Sequence, residues 1–234
     1  MNVTPSNSAI STTTQHGARR KRSVGTPSTF WEAGQVLRIS FFDEADDALK
    51  GAILEVAKTW LEFANLEFEL VANHDDSAEI RINTDVDSKL NTAPLGRTTE
   101  GEPGPNMFLG CKPGEQDFQK DVLQLFGTAL GLRNEHQHPD ANFDWNLDGL
   151  RSFLKNHLAF DEELEDGAQV LEAIIESNFM PLQEEGLITL EYDPNSVMHY
   201  KIEPEWTLDG RSSAMNTQLS AKDKQLVAMI YPGR

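Results

Sequence analysis

Residues 121–139, DVLQLFGTALGLRNEHQHP, and residues 192–200, YDPNSVMHY, hold the reading on which the fold turns. From Phe118 into the first, Phe118, Val122, Leu123, Leu125, Phe126, Ala129 and Leu130 recur at helical spacing and cover a broad apolar face, and Gly131 stands where such a helix stops. The chain then runs through Glu135, His136 and His138 into a proline. In the second, the YDPNS segment reads as a turn that delivers Met198, His199 and Tyr200.

Working outward, VLRISFF (36–42) is a β-rich run, and residues 43–47 read as a helix start. Leu49, Ala52, Ile53, Val56, Ala57, Trp60, Leu61 and Ala64 then recur three and four apart, which predicts a long helix laid on a sheet. LEFELV (66–71) and AEIRINT (78–84) alternate apolar and polar residues as half-buried strands do. Residues 91–105 carry Pro94, Gly96, Gly101, Pro103, Gly104 and Pro105, which is loop chemistry, and NMFLG (106–110) is a short strand beyond them. Further on come the charged run DEELED (161–166), a helix through Val170, Leu171, Ile174 and Ile175, a strand-like ITLEY (188–192), and a closing helix over 220–230. Residues 1–29 are rich in Ser, Thr, Pro and Gly and poor in bulky apolar side chains, so they are expected to form a disordered basic tail before one domain over 30–234.

These motifs, with RINT on a sheet strand, the Trp-bearing first helix and LSAKDKQLVAMIYP near the close, resemble the astacin-like branch of the metzincin zinc peptidases over 30–234. The resemblance implies an α+β, zincin-like fold: a twisted sheet with a backing helix, an active-site helix, and a cleft between upper and lower halves. Members carry H-E-x-x-H-x-x-G-x-x-H. Two His at i and i+4 share a helical face, the Gly lets the chain turn to a third His, and the Glu polarises the zinc-bound water.

Laid on this chain, the motif puts the ligand positions at Gln124, Thr128 and Asn134, the Glu at Leu125 and the Gly at Gly131; only the glycine is kept. Zinc selects imidazole, thiolate and carboxylate over amide oxygens and a Thr hydroxyl. The expectation is therefore no bound cofactor, although active relatives use zinc, and no active catalytic residue, with Leu125 and Tyr200 vestigial. His136, His138 and His199 are the candidates for a shifted metal site. The resemblance also makes Met198 the apolar floor of the Met-turn. Asn106, Met107, Phe108, Leu109 and Gly110 would form the cleft-edge strand that holds an extended peptide. The function expected is that of a pseudopeptidase acting by protein or peptide binding. The alternative is a zinc metalloendopeptidase with a different ligand set.

Charge narrows the partners. Twenty Lys and Arg against 38 Asp and Glu give −18, and since residues 1–29 hold Arg19, Arg20, Lys21 and Arg22 and no acid, the remainder carries −22. So acidic a body repels phosphate backbones, and no nucleic-acid partner is expected. No apolar run approaches the roughly 18–20 residues that cross a bilayer, so no membrane partner is expected either. The first fifteen residues lack a basic start and an apolar stretch, which reads as no standard secretory signal. A monomer is expected, cytoplasmic by default, with the nucleus or unconventional secretion as the other destinations. ARRKR (18–22) fits a processing site, a nuclear-import patch or a solvated basic cluster. Cys111, the lone cysteine, has no His beside it and reads as structural.

Overall fold

The computed structural model describes residues 27–86, 91–97, 102–157, 167–183 and 187–233. The ARRKR and DEELED segments, and the tail up to residue 26, lie outside these residues. Pro27–Thr29, read from sequence as part of the tail, forms a 3-10 turn, and the Thr29 carbonyl accepts from the Arg97 amide at 2.7 Å.

Strand β1 (Val36–Phe41) leads into helix α1 (Asp47–Ala57), whose first turn is capped by the Asp46 carboxylate accepting from the Leu49 amide. The helix tightens into a 3-10 stretch, Lys58–Glu62, before β2 (Glu67–Leu70). With β3 (Ile80–Asn83) and β4 (Met107–Phe108) these strands form a four-stranded sheet, order β2-β1-β3-β4, with every pairing parallel. Register runs Val36 to Glu67, Ile39 to Ile80 and Ile82 to Met107. Helix α2 (Phe118–Ala129) follows, then α3 (Leu147–His157), α4 (Gly167–Phe179) and α5 (Ala221–Ile230).

The alternation read in 78–84 does not mean half burial. Ile80, Arg81 and Ile82 are all buried, because β3 is an inner strand of a parallel sheet, covered on both faces. Arg81 is tolerated there because its guanidinium donates to four backbone carbonyls, those of Asp76, Ala78, Glu102 and Gly104. β2, at the sheet edge, is mostly exposed. ITLEY forms no strand among the described residues, and α3 was not anticipated although Asn146 announces it, its side chain accepting from the Gly149 amide at 3.2 Å.

Two cores result. The upper one packs Leu37, Ile39, Phe41, Ile53, Trp60, Ile80, Ile82 and Phe126 between sheet and helices. The lower one gathers Trp145, Leu150, Leu154, Leu171, Ile175, Phe179, Ile202 and Trp206 around α3 and α4.

Candidate active-site cleft

Helix α2 is buried along nearly its whole length, which one apolar stripe cannot explain. Val122, Phe126 and Ala129 face the upper core, while Asp121, Gln124, Leu125 and Thr128, spaced i, i+3, i+4 and i+7, line a cavity of about 600 Å³. Asn134, Tyr200 and Lys201 extend that polar wall. Phe153, Leu154, Ile174, Phe179 and Trp206 face it from the lower half, and Asn91, Thr92 and Ala93 form the rim.

The helix is held by aromatic side chains. Trp60 Nε1 donates to the Leu123 carbonyl at 2.9 Å, Trp31 Nε1 to Ala129 at 2.8 Å, and the Tyr231 hydroxyl to Leu130 at 2.6 Å. The carbonyls of Ala129 and Leu130, at the end of the helix, are thereby satisfied without solvent. Gly131 then turns the chain at φ +88°, a conformation that glycine adopts at little cost. Gly127 answers a different demand: a Cβ there would lie 2.5 Å from Met198 Sδ and 2.9 Å from Trp60. Met198, buried in the upper core, therefore sits directly against the helix.

Each position from the motif has its own place. The Thr128 hydroxyl donates to the Gln124 carbonyl at 3.0 Å, inside its own helix. Asn134 is hydrogen-bonded to Tyr200, whose hydroxyl is pushed up in pKa by burial against that bond. Leu125 is 7% exposed on the cavity wall. Gln124 is 8% exposed, and its Nε2 has no hydrogen-bond partner. Asp121 accepts from Lys120 Nζ and from Asn91 Nδ2, both at 2.9 Å.

The three candidate histidines are spent elsewhere. A carbonyl can only accept, so His136 carries its hydrogen on Nε2, which donates to the Asn178 carbonyl at 2.6 Å. Its ring stacks on Tyr200 at 4.3 Å and meets Trp145 and Phe179 edge-on or tilted, and burial brings its pKa down to about 3. His138 Nε2 donates to the Leu190 carbonyl at 3.0 Å while its Nδ1 accepts from the Asp140 amide. His199 Nδ1 donates to the Tyr200 carbonyl at 2.6 Å and Nε2 accepts from the Tyr192 hydroxyl at 2.8 Å. Among the described residues no three His, Cys, Asp or Glu side chains gather to hold a metal, and the amide and hydroxyl donors at 124, 128 and 134 do not fit zinc.

The neighbouring Glu135 carboxyl accepts from the Asp193 amide at 2.8 Å, and burial pushes its pKa up to about 8. Burial likewise pushes the Cys111 thiol up to about 12, which keeps it protonated and unreactive.

NMFLG is not the free edge that the sequence suggested. Phe108 exchanges both backbone bonds with Thr92, at 2.8 and 3.0 Å in antiparallel sense, and the Gly110 amide donates to Asn91 Oδ1. Met107 and Leu109 are fully buried, and Asn106 is tied to β3 through Arg81 and Glu79. The outer rim is residues 91–93. Residues flanking a hydrogen-bonded antiparallel pair turn their peptide groups to the opposite side, so Ala93 presents its backbone away from Phe108. Sequence reasoning missed this because 91–105 reads only as loop.

No family model matches this chain, and no curated protein does. Solved structures do. A structure of myroilysin matches 91% of this chain and all of its own at 24% identity and TM-score 0.76. A crystal structure of myroilysin matches 93% of each chain at 25% identity and TM-score 0.65. High choriolytic enzyme 1, a hatching enzyme zinc-protease from Oryzias latipes (medaka), matches 88% of this chain and 96% of its own at 18% identity and TM-score 0.58. The expectation of no cofactor is corrected by these neighbours, among which high choriolytic enzyme 1 is a zinc-protease of the same fold. The chain therefore has the fold of these proteins, the zincin-like fold that the resemblance to the astacin-like metzincins implies.

Proposed function

We propose that this chain is a peptide-binding pseudopeptidase, a protein that keeps the metzincin cleft and has lost hydrolysis by the family's route. The observation that carries this reading is Leu125. Its aliphatic side chain lines the cavity at the position where the motif places the general base, and it can neither accept nor deliver a proton. Loss of a general base alone costs a factor of about 10²–10⁴ in rate. The rim supports binding: Ala93 borders the cavity beside the Thr92–Phe108 pair, where a strand could add, and the lower wall offers rings for side chains.

The test pairs binding with turnover. A library of end-capped peptides is screened against the full chain by fluorescence anisotropy, and the same mixtures are incubated with added zinc and followed by mass spectrometry. Saturable binding without cleavage is the expected result. Cleavage that disappears when His136 or His199 is replaced by alanine would overturn it in favour of a zinc metalloendopeptidase with a different ligand set.

A further inference from the structure

Five buried side-chain atoms among the described residues lack a hydrogen-bond partner: Gln124 Nε2, Arg133 Nε, His136 Nδ1, Thr189 Oγ1 and Arg211 Nε. Of these residues only Gln124 lines the cleft cavity. His136 is walled in by Tyr200, Trp145 and Phe179. A buried donor with nothing to donate to is costly, and native proteins seldom leave one unless something else completes it.

We propose that Gln124 Nε2 is the anchor for a backbone carbonyl of a bound peptide, whose neighbouring bulky apolar side chain fills the cavity against the lower wall. This rests on the peptide-binding reading above and names its ligand class. A primary amide nitrogen only donates, so its complement is a carbonyl or carboxylate oxygen. The atom sits on α2, a rigid helix, and the hydroxyl four residues on is committed to the Gln124 carbonyl, leaving Nε2 as the unused donor on this wall. Asp121, the nearest acid along the same face, is held by Lys120 and Asn91 and does not compete for it.

The opposite wall selects the side chain. Phe153, Leu154, Ile174, Phe179 and Trp206 offer rings and branched carbons, which favour an aromatic or large aliphatic group. A peptide running along the backbone of Ala93 joins these features: strand pairing at the rim, a carbonyl on Gln124, and a side chain between the walls. A small carboxylate would satisfy Gln124 but leave the apolar wall unfilled.

The experiment uses the full chain labelled with ¹⁵N and two end-capped octapeptides of Ala and Ser, one with a central Phe and one with Gly at that place. Titration of the Phe peptide is expected to shift the Gln124 side-chain amide resonances at saturation. Its affinity is expected to exceed that of the Gly peptide about tenfold, equivalent to about 1.4 kcal/mol. Gln124→Glu, which keeps the shape and replaces the donor by an acceptor, should weaken the Phe peptide by about tenfold or more. Saturable peptide binding with stationary Gln124 amide resonances overturns the anchor and leaves the peptide-binding reading standing. The resonances are read in the unaltered protein, so this holds even where the Glu variant fails to fold. If acetate shifts these resonances as far as the peptide does and displaces it, the occupant is a small anion. Absence of binding by any member of the library removes the peptide-binding reading itself.

Discussion

The halves on either side of the cleft are stabilised differently. Above it, aliphatic side chains of a parallel sheet interlock with α1 and α2, and the ring donors there are satisfied by backbone: Trp60, Trp31 and Tyr231 each reach a carbonyl of α2 or its end. Below it, α3 and α4 flank a ring cluster in which Phe179 meets Trp145, Trp206 and Tyr200, and His136 stacks as one more ring. The upper half is a repetitive lattice, so its order follows from periodicity. The lower half is a collection of individual contacts, and it supplies the apolar wall of the cleft. Glu135 and His136, adjacent in sequence, point to different worlds: one to the Asp193 turn, the other into the rings.

The contrast is most sharply tested at two tryptophans. Trp60→Ala should destabilise the protein by about 3–5 kcal/mol in chemical denaturation, since it opens a sealed cavity and removes the indole donor from the Leu123 carbonyl. The same change at Trp206, 9% exposed and lining the cleft, should cost less because solvent can enter the space left. Equal losses would mean that the lower core is as closely packed as the upper.

A second test asks whether the upper scaffold still holds the geometry its fold implies. The four-fold variant Gln124→His, Leu125→Glu, Thr128→His and Asn134→His should gain more melting temperature from zinc than the parent does. A ligand present at 100 times its Kd adds about 2.7 kcal/mol to the folded state. Positions 124 and 128 share the cavity face of α2, and Gly131 still makes the turn. A folded variant with no greater response to zinc than the parent would show that these four positions are laid on the motif wrongly.

The adjacent pair Glu135 and His136 should pull stability in opposite directions with pH. A carboxyl raised to about 8 keeps its proton in the folded state while the unfolded chain loses it above about 4.5, so this group's contribution falls as pH rises from about 4.5 to about 8. Glu135→Gln should therefore remove a slope of up to about 1.4 kcal/mol per pH unit in that window and be the more stable form at pH 8. His136, lowered to about 3, behaves inversely: the unfolded chain takes a proton below about 6.5 that the folded state refuses, so stability falls as pH drops from 6.5 toward 3. His136→Phe should flatten that acid limb in melting curves. Coincident pH profiles for parent and both variants would break the contrast.

The smallest effect is expected at the last helix. Ser220 accepts from the Asp223 amide while the Asp223 carboxylate accepts from the Ser220 amide, a reciprocal capping box. Ser220→Ala should cost about 1 kcal/mol. Asp223 also holds Ser196 and the Val197 amide, so Asp223→Ala should cost more and loosen the Met198 turn, read as faster amide exchange there.

How much of this was legible follows from how local each cause is. The strand at 36–41, the helix at 47–57, the helix ending at Gly131 and the last helix are written in spacing and caps that any short window contains. The missed helix α3 was legible too: Asn146 caps it, and Leu147, Leu150 and Leu154 keep a helical stripe. Thr92 was not, because its pairing with Phe108 is set by a loop that doubles back, and a loop composition says nothing of what it lies against.

By itself, then, the sequence determined the order of elements from β1 to α2, the closing helix, the acidic charge and the absence of imidazole at 124, 128 and 134, because each is a property of residue type and spacing. Only the tertiary structure decided that Arg81 is buried, that Thr92 rather than Phe108 makes the rim, that three histidines donate to carbonyls, and that Gln124 faces a cavity with its donor unused. These depend on groups brought together from distant parts of the chain, and hydrogen-bond satisfaction is fixed only when the partners have met.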